Sequence, residues 1–155
     1  MKTLGVISCT KSKLDYPCDA YKMYSKSTLF RYLYSYCCLK YSRVIILSAK
    51  YGLLEPLTRI EPYEKTLLKM TRLEIIEWSA KVRNQLVTCP TPREDYVWHF
   101  HMGKVYLNNF PFQSLTDLGI NFIKHYFPGG IGTTMGHYKK EVEHLRSQEQ
   151  FTHGG

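Results

Sequence analysis

Apolar positions gather along this chain in three short runs, Thr3–Ser8, Arg43–Ser48 and Tyr96–His101, each bounded by polar residues or glycine. Runs of that length predict strands. In the middle one, Val44-Ile45-Ile46-Leu47, three of the four residues are β-branched and none alternates with a polar residue, so it predicts a strand covered on both faces. Between the runs the spacing changes to threes and fours. Ser27–Lys40 places Leu29, Leu33, Tyr36, Cys37 and Lys40 at helical intervals. Thr71–Leu86 predicts a second helix, with Thr71 as N-cap and Glu74 completing a capping box. Its expected inner face is Leu73, Ile76, Ala80 and Leu86, and Pro90 and Pro92 close it. Met102–Phe110 predicts a short helix. Thr134–Gln150 predicts a charged amphipathic one, introduced by the turn Gly129-Gly130-Ile131-Gly132 and followed by a fraying tail, Phe151–Gly155.

Strands alternating with helices predict an α/β fold: a three-layer sandwich around a central, mainly parallel sheet, with right-handed crossovers. Residues 1–150 read as one domain, since no repeat, low-complexity stretch or linker interrupts them. A chain of 155 residues buries roughly two-thirds of its unfolded surface on folding.

Charge changes the picture. Lys and Arg number 21 against 13 Asp and Glu, a net charge of +8, which favours a polyanionic partner such as nucleic acid. Thirteen tyrosines and two tryptophans add stacking faces of the kind that hold bases. No apolar run approaches the ~20 residues that span a bilayer, and Met1-Lys2-Thr3-Leu4 enters a strand without a leader pattern. The expectation is a cytoplasmic protein with no membrane partner. Cys9, Cys18, Cys37, Cys38 and Cys89 are odd in number and lack C-x-x-C spacing, which predicts free thiols and no metal site. The Gly-x-x-x-x-Gly-Lys frame is absent, so nucleotide hydrolysis is not expected, and no other cofactor fingerprint is present.

Candidate chemistry follows the strands, because open α/β sheets hold ligands at their carboxyl ends. After the first strand, Ser8, Cys9, Thr10, Lys11 and Lys13 form a segment suited to an anion. After the second come Lys50, Tyr51, Glu55, Glu61, Tyr63 and Glu64, with three of the chain's 13 acids in one short stretch. Lys50 could bind phosphate or attack a sugar C1′ as an amine. The glutamates could activate water or stabilise an oxocarbenium-like sugar, and Tyr51 and Tyr63 could stack on a base. His99 and His101, two apart on a strand, share a face and suit proton handling or a bond to a leaving base. Gly130 and Gly132 precede a helix, where a phosphate could sit, and Lys139, Lys140 and Arg146 follow on that helix. Each segment also has a plainer reading: a solvated loop, surface carboxylates, a polar strand end, a bare turn.

Together, Ser8-Cys9-Thr10-Lys11-Ser12-Lys13, Leu47–Leu54 and Pro62-Tyr63-Glu64 resemble a family of small bacterial and phage proteins. That family carries Ser-Cys-(Ser/Thr)-Lys-x-Lys, Leu-Ser-Ala-Lys-(His/Tyr)-Gly-Leu-Leu and Pro-Tyr-(Asp/Glu). Tyr24-Ser25 and Leu29-Phe30 match the segment between, and the likeness is strongest over the first seventy or so residues. More distantly, the family is similar to the catalytic portion of archaeosine synthase and to the uracil-DNA glycosylase-like superfamily. Some relatives are tied to phage base hypermodification or to defence against it, and the resemblance implies a uracil-DNA glycosylase-like fold with nucleobase or glycosidic-bond chemistry on nucleic acid. Glu64 stands where an aspartate is common, and the Gly-(Gln/Glu)-Asp-Pro-Tyr water-activating motif is missing. The reading that follows is a DNA glycosylase acting on a modified base. Its rivals are a base-modifying enzyme like archaeosine synthase and a non-catalytic nucleic-acid-binding module.

Overall fold

The computed structural model describes residues 2–88, 95–126 and 129–153, with side chains described as far as Gln150. Strand β1 (Lys2–Ser8) is followed by a short strand β2 (Cys18–Asp19), a helical turn α1 (Ala20–Met23) and helix α2 (Thr28–Lys40). Strand β3 (Arg43–Ser48) turns back into β4 (Gly52–Leu54), and β5 (Arg59–Ile60) then pairs with β2 in a separate ribbon. A single 3-10 turn (Leu67–Lys69) leads into α3 (Arg72–Thr88), then β6 (Tyr96–His101), α4 (Lys104–Asn109), α5 (Phe112–Asp117), β7 (Asn121–His125) and α6 (Ile131–His153).

The main sheet is five-stranded in the order β4-β3-β1-β6-β7. β1, β3, β6 and β7 pair in parallel, and β4 runs antiparallel along one edge. The sequence patterns of β1, β3 and β6 match the observed strands to within a residue. Two strands of the sheet escaped them: β7 is mostly exposed and reads as polar, and β4 occupies what the sequence presents as a loop.

Helices cover both faces. Gly5 lies against α2, where an added Cβ would meet Tyr41 Cδ2 at 2.5 Å and Cys37 Sγ at 3.0 Å; α6 packs beside α2. On the opposite face Phe100 packs on Phe110 and Phe112, with ring centroids 4.8 Å from each, and α3 adjoins α5 there.

Two expectations about helices need correcting. In α3 the buried side chains are Trp78, Val82 and Leu86, while Leu73 and Ile76 are 64% and 53% exposed and Ala80 is exposed. The inner face follows the i, i+4, i+8 line of Trp78, and Gln85 beside it points inward to bond the β3–β4 hairpin, so apolar residues alone mislead. The capping box is present: Thr71 Oγ1 accepts from the Glu74 N–H and Glu74 Oε1 from the Thr71 N–H, both at 3.2 Å. The last helix starts at Ile131, three residues before the expected Thr134, which takes Gly132 into its first turn. It continues to His153, beyond the expected end at Gln150. Cys89, Pro90, Pro92 and the terminal Gly154-Gly155 lie outside the described residues. Among those described, no helix is long and apolar enough to cross a membrane, and Cys9, Cys18, Cys37 and Cys38 are free thiols.

Candidate functional site

From the adjacent parallel strands β1 and β6 the chain departs to opposite faces, into α2 and into α4–α5. That divergence opens a crevice at the carboxyl edge of the sheet, the place where doubly wound folds hold ligands. A cavity of about 260 Å³ lies there. Ser8 and Thr10 line it from the end of β1, and His101, Met102 and Lys104 from the end of β6. Leu29 and Leu33 of α2 and Ile131, Thr134 and Tyr138 of α6 give it an apolar wall with a hydroxyl rim.

Beside the cavity the three motifs of the sequence converge. Ser48 ends β3 fully buried, and its Oγ accepts the N–H groups of Lys50 at 3.1 Å and Tyr51 at 3.0 Å. Those bonds occupy both lone pairs, so the Ser48 hydrogen goes to the Tyr63 hydroxyl, 2.8 Å away. Tyr63 bonds in turn to the buried Tyr24 hydroxyl at 2.7 Å. Burial pushes the phenols of both tyrosines upward, so neither ionises at neutral pH. Cys9 points into the same cluster: its Sγ is 3.1 Å from the Tyr106 hydroxyl and accepts from the Ala49 N–H at 3.4 Å. Lys13 Nζ lies 4.5 Å over the Tyr63 ring. Helix α3 clamps the hairpin from behind: Trp78 donates to the Ser48 carbonyl, Lys81 to that of Lys50 and Gln85 to that of Tyr51, each at 2.9 Å. Gly52 allows the turn with φ of 70°.

A second cluster underlies the cavity. His101 is almost completely buried, with Nε2 2.5 Å from the Tyr41 hydroxyl and Nδ1 2.8 Å from that of Tyr138. It stacks on His125 at 4.2 Å between centroids, and His125 Nε2 bonds His99 Nδ1 at 2.8 Å. Burial first, and then the neighbouring imidazoles, lower the His101 pKa to about 3. Burial lowers those of His99 and His125 as well. His101 is therefore neutral at pH 7 with both nitrogens committed, and offers none to a leaving base; that expected role does not fit it. His125 also lines the cavity, and its Nδ1 has no partner among the described residues.

The glutamates part company. β4 carries Glu55 back to the amino end of β3, where it pairs with Arg43, away from the cavity; the hairpin, invisible as a strand in the sequence, is the reason. Glu61 and Glu64 stay near the motif cluster but are exposed: Glu61 donates its backbone N–H to the Tyr51 hydroxyl, and Glu64 acts on Lys13 through its charge. Lys50 is exposed, with Nζ 5.0 Å over the Tyr51 ring. Lys11 is exposed and contributes its carbonyl to Lys13. Neither Gly130 nor Gly132 lines the cavity, although Gly129 does. As site residues, Tyr106, Tyr41, Tyr138 and His125 escaped the sequence reading, while Tyr24 and Ser48 entered it only within the matched segments.

Fold and site define a doubly wound α/β protein with a small cavity at its topological switch point. The chain belongs to DUF6884, a family of unknown function, whose match covers residues 4–145. No curated protein was found to match it.

Proposed function

We propose that the protein is a DNA glycosylase that hydrolyses the N-glycosidic bond of a modified base, such as a glucosylated base of phage DNA, and leaves an abasic site. The observation that carries this reading is the convergence of residues 8–13, 47–54 and 62–64 beside a cavity of about 260 Å³ at the switch point. That volume falls below the ~300–1,000 Å³ of drug-sized pockets and suits one extruded base with its substituent. Layered helices around a mainly parallel sheet are also compatible with a uracil-DNA glycosylase-like fold, and the net charge of +8 suits a DNA partner acting in phage defence.

The glycosidic bond is out of reach inside the stack, so the target nucleotide must be flipped into the cavity. Lys11 and Lys104 would hold flanking phosphates, the Tyr63 and Tyr51 rings would border the sugar, and His125 Nδ1 would address the departing base. Incubation with phage DNAs carrying unmodified, hydroxymethylated or glucosylated bases, then alkaline cleavage and mass spectrometry, tests the reading. Strand breaks with a free base from one DNA support it. Intact strands carrying an altered nucleoside would point instead to chemistry like that of archaeosine synthase.

One observation favours a binding module: among the described residues, no carboxylate lines the cavity. On that reading no DNA changes, and Lys50→Ala weakens binding and flattens the salt slope by about one unit if Lys50 contacts phosphate.

A further inference from the structure

Among the described residues no carboxylate lines the cavity, which leaves the neighbouring motif cluster to supply the nucleophile of a glycosidic cleavage, and one side chain there has the required setting. Lys13 folds back along its own segment: Nζ donates to the Lys11 carbonyl at 3.2 Å and rests 4.5 Å from the centroid of the Tyr63 ring. Tyr63 is itself fixed by Ser48 and Tyr24, so the amine sits on a rigid platform. It is half-buried and has no ion-pair partner; among the described residues the ion pair is Arg43–Glu55. Burial holds the amine below the ordinary lysine range, although Cys9 and Glu64 oppose the shift. Desolvation of this kind makes the deprotonated, nucleophilic form of a lysine easier to reach. Thr10, three residues earlier, lines the cavity and Lys13 itself does not, so a sugar projecting from a base held there would border this segment. Lys11 and Lys50, the other amines of the motifs, are exposed to water.

We infer that Lys13 is the amine that attacks C1′ of the extruded nucleotide and holds its sugar as an imine, a step that rests on the glycosidic reading above. The Nζ lone pair forms the N–C1′ bond as the C1′–base bond breaks, and that bond pair leaves with the base. One amine hydrogen is lost by way of Glu64 and ends on the base. The nitrogen lone pair then closes C1′=N as the C1′–O4′ bond opens, and the second amine hydrogen ends on O4′. Water adds across the imine, releases the abasic aldehyde and restores the amine.

The test supplies the sugar ready-made. Wild-type protein is mixed with an oligonucleotide carrying one preformed aldehydic abasic site and sodium cyanoborohydride, and the reduced adduct is mapped by peptide mass spectrometry. The expected result is an adduct on Lys13 that falls at least tenfold in Lys13→Arg, which keeps a long basic side chain beside Tyr63 but forms no imine. Lys26→Arg, on the exposed turn before α2, traps as wild type does. No adduct, or one confined to other lysines, overturns the assignment; mapping in the wild type does not depend on how the variant folds. An adduct on Lys13 with no base released from any DNA keeps the lysine and removes the glycosylase reading. Base release without an adduct does the reverse.

Discussion

Ser48 shows what one buried hydroxyl holds in place. Its oxygen takes two backbone N–H groups and its hydrogen anchors Tyr63, so Ser48→Ala strands two donors and frees the ring under Lys13. An unsatisfied buried donor costs about 1–3 kcal/mol. Ser48→Ala should lower stability by at least that much in urea titrations and speed hydrogen exchange at the Lys50 and Tyr51 amides; unchanged exchange there would refute the role. Glu55 is the opposite case. Its partner Arg43 is at the amino end of the sheet and both side chains are partly exposed, at 52% and 29%, and surface pairs of this kind contribute about 0–1 kcal/mol. Glu55→Gln should therefore shift the urea midpoint little and leave any base release unchanged. A loss of activity with normal stability would return Glu55 to the site.

Among the elements, α3 both packs the core and stiffens the site. Trp78, Val82 and Leu86 face inward, and Lys81 and Gln85 bond the hairpin that carries Lys50 and Tyr51. Leu86→Ala should cost about 2–5 kcal/mol, while Leu73→Ala should stay within about 0.5 kcal/mol of wild type. Equal losses in chemical denaturation would restore the face expected from sequence. The capping box of this helix was legible because Thr71 and Glu74 meet within one turn. Its inner face was not, because the inward polar residue, Gln85, is satisfied only by a hairpin distant in sequence. At β1, Gly5 permits the close approach of α2. Gly5→Ala would overpack Tyr41 and Cys37, and overpacking costs typically 1–3 kcal/mol.

Across the whole molecule, the imidazole cluster ties stability to pH. His99, His101 and His125 sit between the sheet and α2–α6, with Lys40, Tyr36, Tyr41, His137, Tyr138 and Glu141 around them. Their pKa values are lowered in the folded state, that of His101 to about 3, while in the unfolded chain they return to about 6.5. Below 6.5 the unfolded chain therefore binds more protons, and stability falls as pH drops toward 3. The contribution is complete above about pH 6.5. For His101 it declines by up to about 1.4 kcal/mol per pH unit below that, and by less for the more exposed His99 and His125. Urea midpoints at pH 7.5 and 5.0 should differ in that direction, and His101→Phe should flatten the profile. A flat wild-type profile would exclude the coupling.

The α/β class, the three inner parallel strands, the capping box and the motif segments are set by local rules: β-branched runs, helical spacing and a hydroxyl–carboxylate pair one turn apart. Those rules act over a few residues, so the linear order carries them. Which motif residues meet is a matter of register and topology. The β3–β4 hairpin sends Glu55 to the far end of the sheet and returns Tyr63 to Ser48. The pairing of β6 with β7 stacks His101 on His125. The fold-back of residues 9–13 places Lys13, rather than Lys50, over Tyr63. Contacts between positions 15 to 97 apart leave no trace in local spacing, so only the tertiary structure decided which side chains form the site.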